Sequence, residues 1–312
     1  MWVDPGTYGA LLLGALFASG LAGVFGVQCL LYFKCYPMDR KPLKALVIFA
    51  WTLEILHSAL VWAAMWNYFI QHFGEVKYID HIPMCVALSV ILTATLTFLA
   101  HCLFAHRIYY LSNRSLWLTL PIIALAFGRL AAATVSGAEM IHLRSFARFR
   151  KHFLWLFTLG LSLSSAVDIL ITLSLFFLLK KSKQKSIKLS PLIDALLLYT
   201  FEIGSLTSAA TVISMLCWSI IDNSLVFLGL HFVIGKLYAN SLLATLNARR
   251  RLRRTQRSSA FDFVHLNVNQ TVSAIQFRNA ELPLESDTQL AGLSNDPEAS
   301  IKETEETDET VE

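Results

Sequence analysis

Leu225-Val-Phe-Leu-Gly-Leu-His-Phe-Val-Ile-Gly-Lys-Leu-Tyr-Ala-Asn-Ser-Leu-Leu-Ala-Thr-Leu246, with Asn247-Ala-Arg-Arg-Arg-Leu-Arg-Arg254 directly after it, decides the fold. As an α-helix its 22 mostly apolar residues reach ~33 Å, enough to cross a hydrocarbon core of ~30 Å. Arg249, Arg250, Arg251, Arg253 and Arg254 then stop the span and anchor its cytoplasmic end. Lys236 sits in the middle of the apolar stretch. An ammonium at bilayer depth costs at least ~2.5 kcal/mol, so Lys236 is expected to face protein or water and to have an acidic partner.

Composition extends this reading to the whole chain. Hydrophobic residues make up 55% and charged residues 15%, which excludes an ordinary soluble domain. The expected fold is all-α: a polytopic membrane protein with a seven-transmembrane-helix bundle over residues 1–257. From about residue 258 the sequence turns polar and then acidic, with eleven acids from Glu281 onward, and reads as a disordered tail. Cys29, Cys35, Cys85, Cys102 and Cys217 are scattered, mostly within apolar segments, and suggest buried thiols rather than a disulfide framework. The first apolar run is long and lacks a basic leader, so no cleavable signal is expected.

Upstream of the quoted stretch, six further helices are predicted. The first runs roughly Tyr8 to Phe33, where Ser19-x3-Gly23 and Ala22-x3-Gly26 are expected to admit a neighbouring backbone. The second, about Leu43 to Ile70, puts Glu54, His57 and Ser58 on one face. The third runs from Pro83 to about Tyr109 and carries Thr93, Thr97 and His101. The fourth, Leu116 to Met140, flanks Arg129 with Ala126, Ala132, Ala133 and Ser136. Ile141 to Lys151 alternates apolar and basic residues and is expected to lie in the membrane interface. The fifth helix, Phe153 to Leu179, has a stripe of Ser164, Ser165, Asp168 and Thr172. The sixth, Leu192 to Ile220, groups Asp194, Tyr199, Glu202 and Ser205, and the Asp222-Asn223 turn makes it an antiparallel neighbour of the seventh.

Basic residues orient the bundle. With the N-terminus outside, the inner segments hold 17 Lys and Arg and the outer segments 5, so the N-terminus is expected outside and the C-terminus in the cytoplasm. The loop from Arg144 to Lys151 is the basic exception on the outer side. Anionic lipid is the expected partner of the inner basic loops, together with a cytoplasmic signalling partner. Beside a membrane helix the arginine run reads as a stop-transfer anchor, so no nucleic acid is expected. A multi-pass protein of the plasma membrane, in preference to internal membranes, is the expected location.

Five full charges fall near mid-depth: Glu54, Arg129, Asp168, Glu202 and Lys236. With His57 they form a candidate core, either for a ligand or for internal ion pairs. Lys236 is expected to pair with Glu202 or Asp168, and Glu54 with Arg129. His101 and His231 read as satisfied core histidines. No metal site, cofactor or catalytic residue is expected: His231 lacks a second histidine one turn on, and no phosphate loop or nucleophile elbow is present.

Several motifs carry a resemblance: Trp51-Thr-Leu-Glu-Ile-Leu-His57, Asp80-His-Ile-Pro83, Phe104-Ala-His-Arg-Ile-Tyr109, Leu163-Ser-Ser-Ala-Val-Asp168 and Leu230-His-Phe-Val-Ile-Gly-Lys236 continuing to Arg249. In these the chain resembles an expanded family of mushroom-type basidiomycete membrane proteins. The family's defining region, a domain of unknown function (number 6534), would correspond to about Ser164 to Arg250. The resemblance implies a fungal seven-helix membrane protein and no activity. Two functional classes follow: a non-enzymatic receptor or sensor with a polar intramembrane site, or a transporter or channel for protons or small cations. The long acidic tail with its Ser and Thr residues favours the receptor, and the absence of an internal repeat counts against transport.

Overall fold

Long apolar runs become long helices, and the residues between them decide where each helix begins. The computed structural model describes residues 5–185, 190–221 and 224–247, the side chains of 5, 6, 76, 182–200, 202 and 203 excepted. Seven α-helices lie among the described residues: α1 (Pro5–Cys35), α2 (Lys41–Trp66), α3 (Met84–Leu111), α4 (Leu116–Leu143), α5 (Phe146–Lys185), α6 (Ser190–Ile220) and α7 (Val226–Asn247). Six are long and apolar enough to cross a membrane, and α6 adds the apolar stretch Gly204–Ile220. The fold is all-α with the character of an integral membrane protein. The anchors Arg249, Arg250, Arg251, Arg253 and Arg254, the Asp222-Asn223 turn and the tail from 258 lie outside the described residues.

Prolines open two of the helices. Pro42 sits in the first turn of α2 and Pro83 caps α3, positions where a missing amide hydrogen costs nothing. At Trp66, α2 passes into a π-helical turn (Asn67–Gln71), and a 3-10 turn (Val76–Asp80) completes the connection to α3.

The stretch Ile141 to Lys151 departs from expectation. It is not an interfacial segment: α4 runs to Leu143, Arg144 turns left-handed at φ 49°, and α5 starts at Phe146. Phe146 and Phe149 are fully buried in protein. Capping explains the early start. Asp80 accepts hydrogen bonds from Ser145 Oγ at 2.6 Å and from the Ala147 amide at 2.8 Å, and Ser145 Oγ accepts from the Arg148 amide at 3.3 Å. These acceptors satisfy amides that a helix start leaves open. Phe153, where the sequence placed the start, is instead a kink with φ −125° and ψ 19°. Arg150 reaches across to α6, donating to the carbonyls of Ile221 (2.9 Å) and Ser219 (3.3 Å) and lying 5.4 Å over the Trp218 ring. Part of that loop's basic character is therefore spent capping the end of another helix.

The last helix is the most enclosed. Of its apolar window 72% is buried, against 28% for α1, α2 and α4, so α7 runs through the interior while those three leave most of their apolar surface on the outside of the bundle. It packs directly on α1 where Gly14 and Gly229 meet: a β-carbon on either would collide with the other helix's backbone. This is not the approach expected from Ser19-x3-Gly23 and Ala22-x3-Gly26, because Gly23 and Gly26 face open space. Antiparallel packing of α6 on α7 is as expected, with Ser214 Oγ donating to the Phe227 carbonyl at 3.3 Å and the Trp218 and Phe227 rings 4.6 Å apart. Among the described thiols only Cys29 is buried and all five are free.

Two apolar clusters divide the bundle by depth. One gathers Val61, Met65, Val86, Phe157, Trp218 and Phe227. The other gathers Ala50, Phe104, Ile171, Leu175, Tyr238 and Leu242. Along α2 and α4 the change from one cluster to the other spans Glu54 and His57, and Arg129; on α7 it falls between Phe232 and Ile234, just before Lys236. The ionisable side chains thus occupy a layer at and just beyond the boundary between the two clusters.

Candidate functional site

Lys236 is 1% exposed and reaches α2. Its ammonium donates to the Glu54 carboxylate, to Ser58 Oγ at 2.8 Å and to the Glu54 carbonyl at 3.2 Å. All three of its hydrogens are placed, as burial of a charge requires. The shared face of Glu54, His57 and Ser58 brings this about: Glu54 and Ser58 hold Lys236, while His57 Nε2 turns to α3 and bonds Thr93 Oγ1 at 3.1 Å.

Glu54, and not Asp168, is therefore the partner the structure gives Lys236 among the described side chains. Helical phase is the reason. Lys236 and Tyr238 are two residues apart on α7, about 200° around its axis, so one faces α2 and the other α5. Tyr238 OH donates to the Asp168 carboxylate, whose other oxygen accepts from His101 Nε2 at 3.1 Å, and Ser164 Oγ lies 2.9 Å from the same phenol. Ser165 Oγ continues the stripe to α6, 2.8 Å from Thr211 Oγ1. A narrow cleft of about 20 Å³ beside Asp168, Thr172 and Tyr238 has room for one water. Glu202 is on α6, its side chain outside the described residues.

Arg129 does not pair with Glu54. It is 3% exposed, feels the charge of Asp168 and Tyr238 at a distance, and has no hydrogen-bond partner at Nε or Nη1. His231, in electrostatic reach of Arg129, has neither ring nitrogen partnered. It is thus unlike His101, whose Nε2 is satisfied by Asp168. Glu54 Oε1 and His57 Nδ1 are likewise buried without a partner. The small-residue face of α4 does pack inward, with Ala126, Ala132 and Ser136 buried, and it carries Arg129 in with it.

Sequence reading missed Tyr238 as a member of this layer. The available signal was a tyrosine within an otherwise apolar span, because a buried phenol needs an acceptor. Chemically, the layer holds two bonded constellations, Lys236–Glu54–Ser58 and His101–Asp168–Tyr238–Ser164, with Glu54 Oε1 and His101 Nδ1 left over, and a set of unpartnered nitrogens at Arg129 and His231. Among the described residues no three His, Cys, Asp or Glu side chains converge as metal ligands would.

Beyond the layer, α7 is tied to α1 down its length. Asn240 Oδ1 accepts from Gln28 Nε2 (3.2 Å) and its Nδ2 donates to the Leu21 carbonyl (3.0 Å), Asn247 Nδ2 donates to the Gln28 carbonyl (2.9 Å), and Tyr36 OH donates to the Asn247 carbonyl (2.9 Å).

Residues 164–251 match a family of unknown function (DUF6534). That segment begins at Ser164 on α5 and takes in α6 and α7, so it includes Asp168, His231, Lys236 and Tyr238. No curated protein and no solved structure matches the chain.

Proposed function

We propose that the chain is a seven-span membrane receptor or sensor, not an enzyme, whose polar layer responds to a small polar ligand and whose seventh helix carries the response inward. One observation carries this reading: α7 holds Lys236 and Tyr238 in the layer and is then bonded to α1 through Asn240 and Asn247. A change in the layer is in this way coupled to the helix end that leads to the basic run. The unpartnered nitrogens at Arg129 and His231 supply groups that an acceptor-bearing ligand would take. In this reading the N-terminus is outside, the basic inner loops meet anionic lipid, a cytoplasmic partner reads the inner face, and the plasma membrane is the site of action. Support for the orientation is the 17-to-5 bias of Lys and Arg.

The competing reading is proton or small-cation transport past Glu54, Asp168 and Glu202. Purified protein in liposomes separates the two. The receptor reading expects proton and cation flux at the level of empty liposomes, and faster hydrogen exchange over Asn240–Asn247 in Lys236→Met. Flux above that level, abolished by Glu54→Gln, would establish the transporter instead.

A further inference from the structure

A second, independent site lies at the end of the bundle where α2 joins α3 and α4 joins α5. There an open surface hollow of about 690 Å³ is lined by the exposed side chains of Lys77, Arg144 and Arg148 together with Glu75, Asp80 and His81. Its walls are held in place. Tyr68 OH donates to the His81 carbonyl at 2.7 Å, the Ile82 amide donates to the Arg144 carbonyl at 3.1 Å, and the His72 and Tyr78 rings stack 3.4 Å apart. Asp80 is already engaged by Ser145 and the Ala147 amide, which leaves Glu75 as the uncommitted acid among the lining residues. Among the described residues the side chains of Lys77, Arg144 and Arg148 make no ion pair or hydrogen bond.

Two further features concern Arg144. Burial, and then the charges of Arg144 and His72, lower the His81 imidazole from its ordinary value, with Asp80 opposing them. Arg144 ends α4 at φ 49°, a conformation that glycine adopts freely and an L side chain only with strain. The chain thus keeps a guanidinium at a backbone position suited to glycine, on the rim of a hollow with two more cations. Two guanidiniums and an ammonium offer more donors than a carboxylate can accept, and match the oxygens and charge of a phosphate.

We propose that this hollow binds a phosphate group, carried either by a soluble phosphorylated molecule or by a phospholipid headgroup at the membrane surface. The test uses the full chain. Isothermal titration in a neutral detergent with inorganic phosphate and glycerol phosphate probes the soluble source, and nanodiscs of phosphatidic acid against phosphatidylcholine probe the lipid source. Binding in either arm is expected, weakened at least tenfold in Arg144→Gly/Arg148→Gln and unchanged in Lys151→Gln, an exposed cation early in α5 that does not line the hollow. The Arg144→Gly change relieves the left-handed backbone, so loss of binding with unfolding temperature retained isolates the guanidinium. Binding in neither arm, or affinity within twofold of wild type in the double variant, would overturn the proposal.

Discussion

Replacing Lys236 by Met tests the polar layer most directly. Methionine keeps the unbranched length and removes the ammonium, and with it three hydrogen bonds: to the Glu54 carboxylate, the Glu54 carbonyl and Ser58 Oγ. The damage falls on Glu54. Its Oε1 already lacks a partner, so without Lys236 the carboxylate is left 2% exposed with no donor to either oxygen. Stranding one member of a buried pair costs about 3–5 kcal/mol, and the absence of a second donor places this case at the upper end. Glu54→Gln alone strands the ammonium in the same way. Removing both charges leaves a neutral amide beside a thioether, and the double variant should lie much nearer wild type than the sum of the two losses. Reversible unfolding of detergent-solubilised protein, run as a double-mutant cycle, measures that coupling. Asp168→Asn serves as the control, because Asp168 is bound to Tyr238 and His101 and should not rescue Lys236→Met. Coupling below ~0.5 kcal/mol between positions 236 and 54, or rescue by Asp168→Asn, would refute the assignment.

Gly229→Val should drive the α1 and α7 backbones apart at Gly14 and Ala10, costing more than the ~1–3 kcal/mol typical of overpacking, whereas Gly23→Val, facing open space, should be neutral; unfolding temperature and monodisperse yield report both. Asp80→Ala removes the carboxylate that caps α5 and should lower stability by about 0.5–2 kcal/mol in the same unfolding assay, with Ser145→Ala sharing part of that loss. Asn113-Arg-Ser115 and Asn269-Gln-Thr271 fit the glycosylation pattern, yet the proposed orientation puts both in the cytoplasm. Neither should carry glycan on expression in a eukaryotic host, and an endoglycosidase-sensitive mass shift at either would reverse the orientation.

Where sequence reading went astray, the missing information was a neighbour. Phe153 opens a fresh apolar run, and nothing local shows that α5 starts seven residues earlier. That start depends on Asp80, a residue from another loop, accepting from the Ser145 hydroxyl and the Ala147 amide through bonds that span 65 and 67 positions. Arg150 reads as one more charge in a basic loop, because its carbonyl partners lie on α6. The glycines of α1 were misread for a related reason. Gly14, Gly23 and Gly26 all sit in an apolar helix, and only the path of α7 past α1 makes Gly14 the point of contact.

The sequence by itself determined which stretches are helical and where along each of them the charges fall. Apolar length, proline position and the height of each charge along its span are properties of one segment at a time, and they put Glu54, Arg129, Asp168 and Lys236 inside apolar helices. What only the tertiary structure decided was which group meets which. Several acids at comparable depth suit Lys236 equally well until the helices are arranged side by side and each is rotated about its axis. About 100° per residue then separates Lys236, facing Glu54 across 182 positions, from Tyr238, facing Asp168 across 70. Depth is written in a single helix, but azimuth and neighbour order arise only when the helices pack.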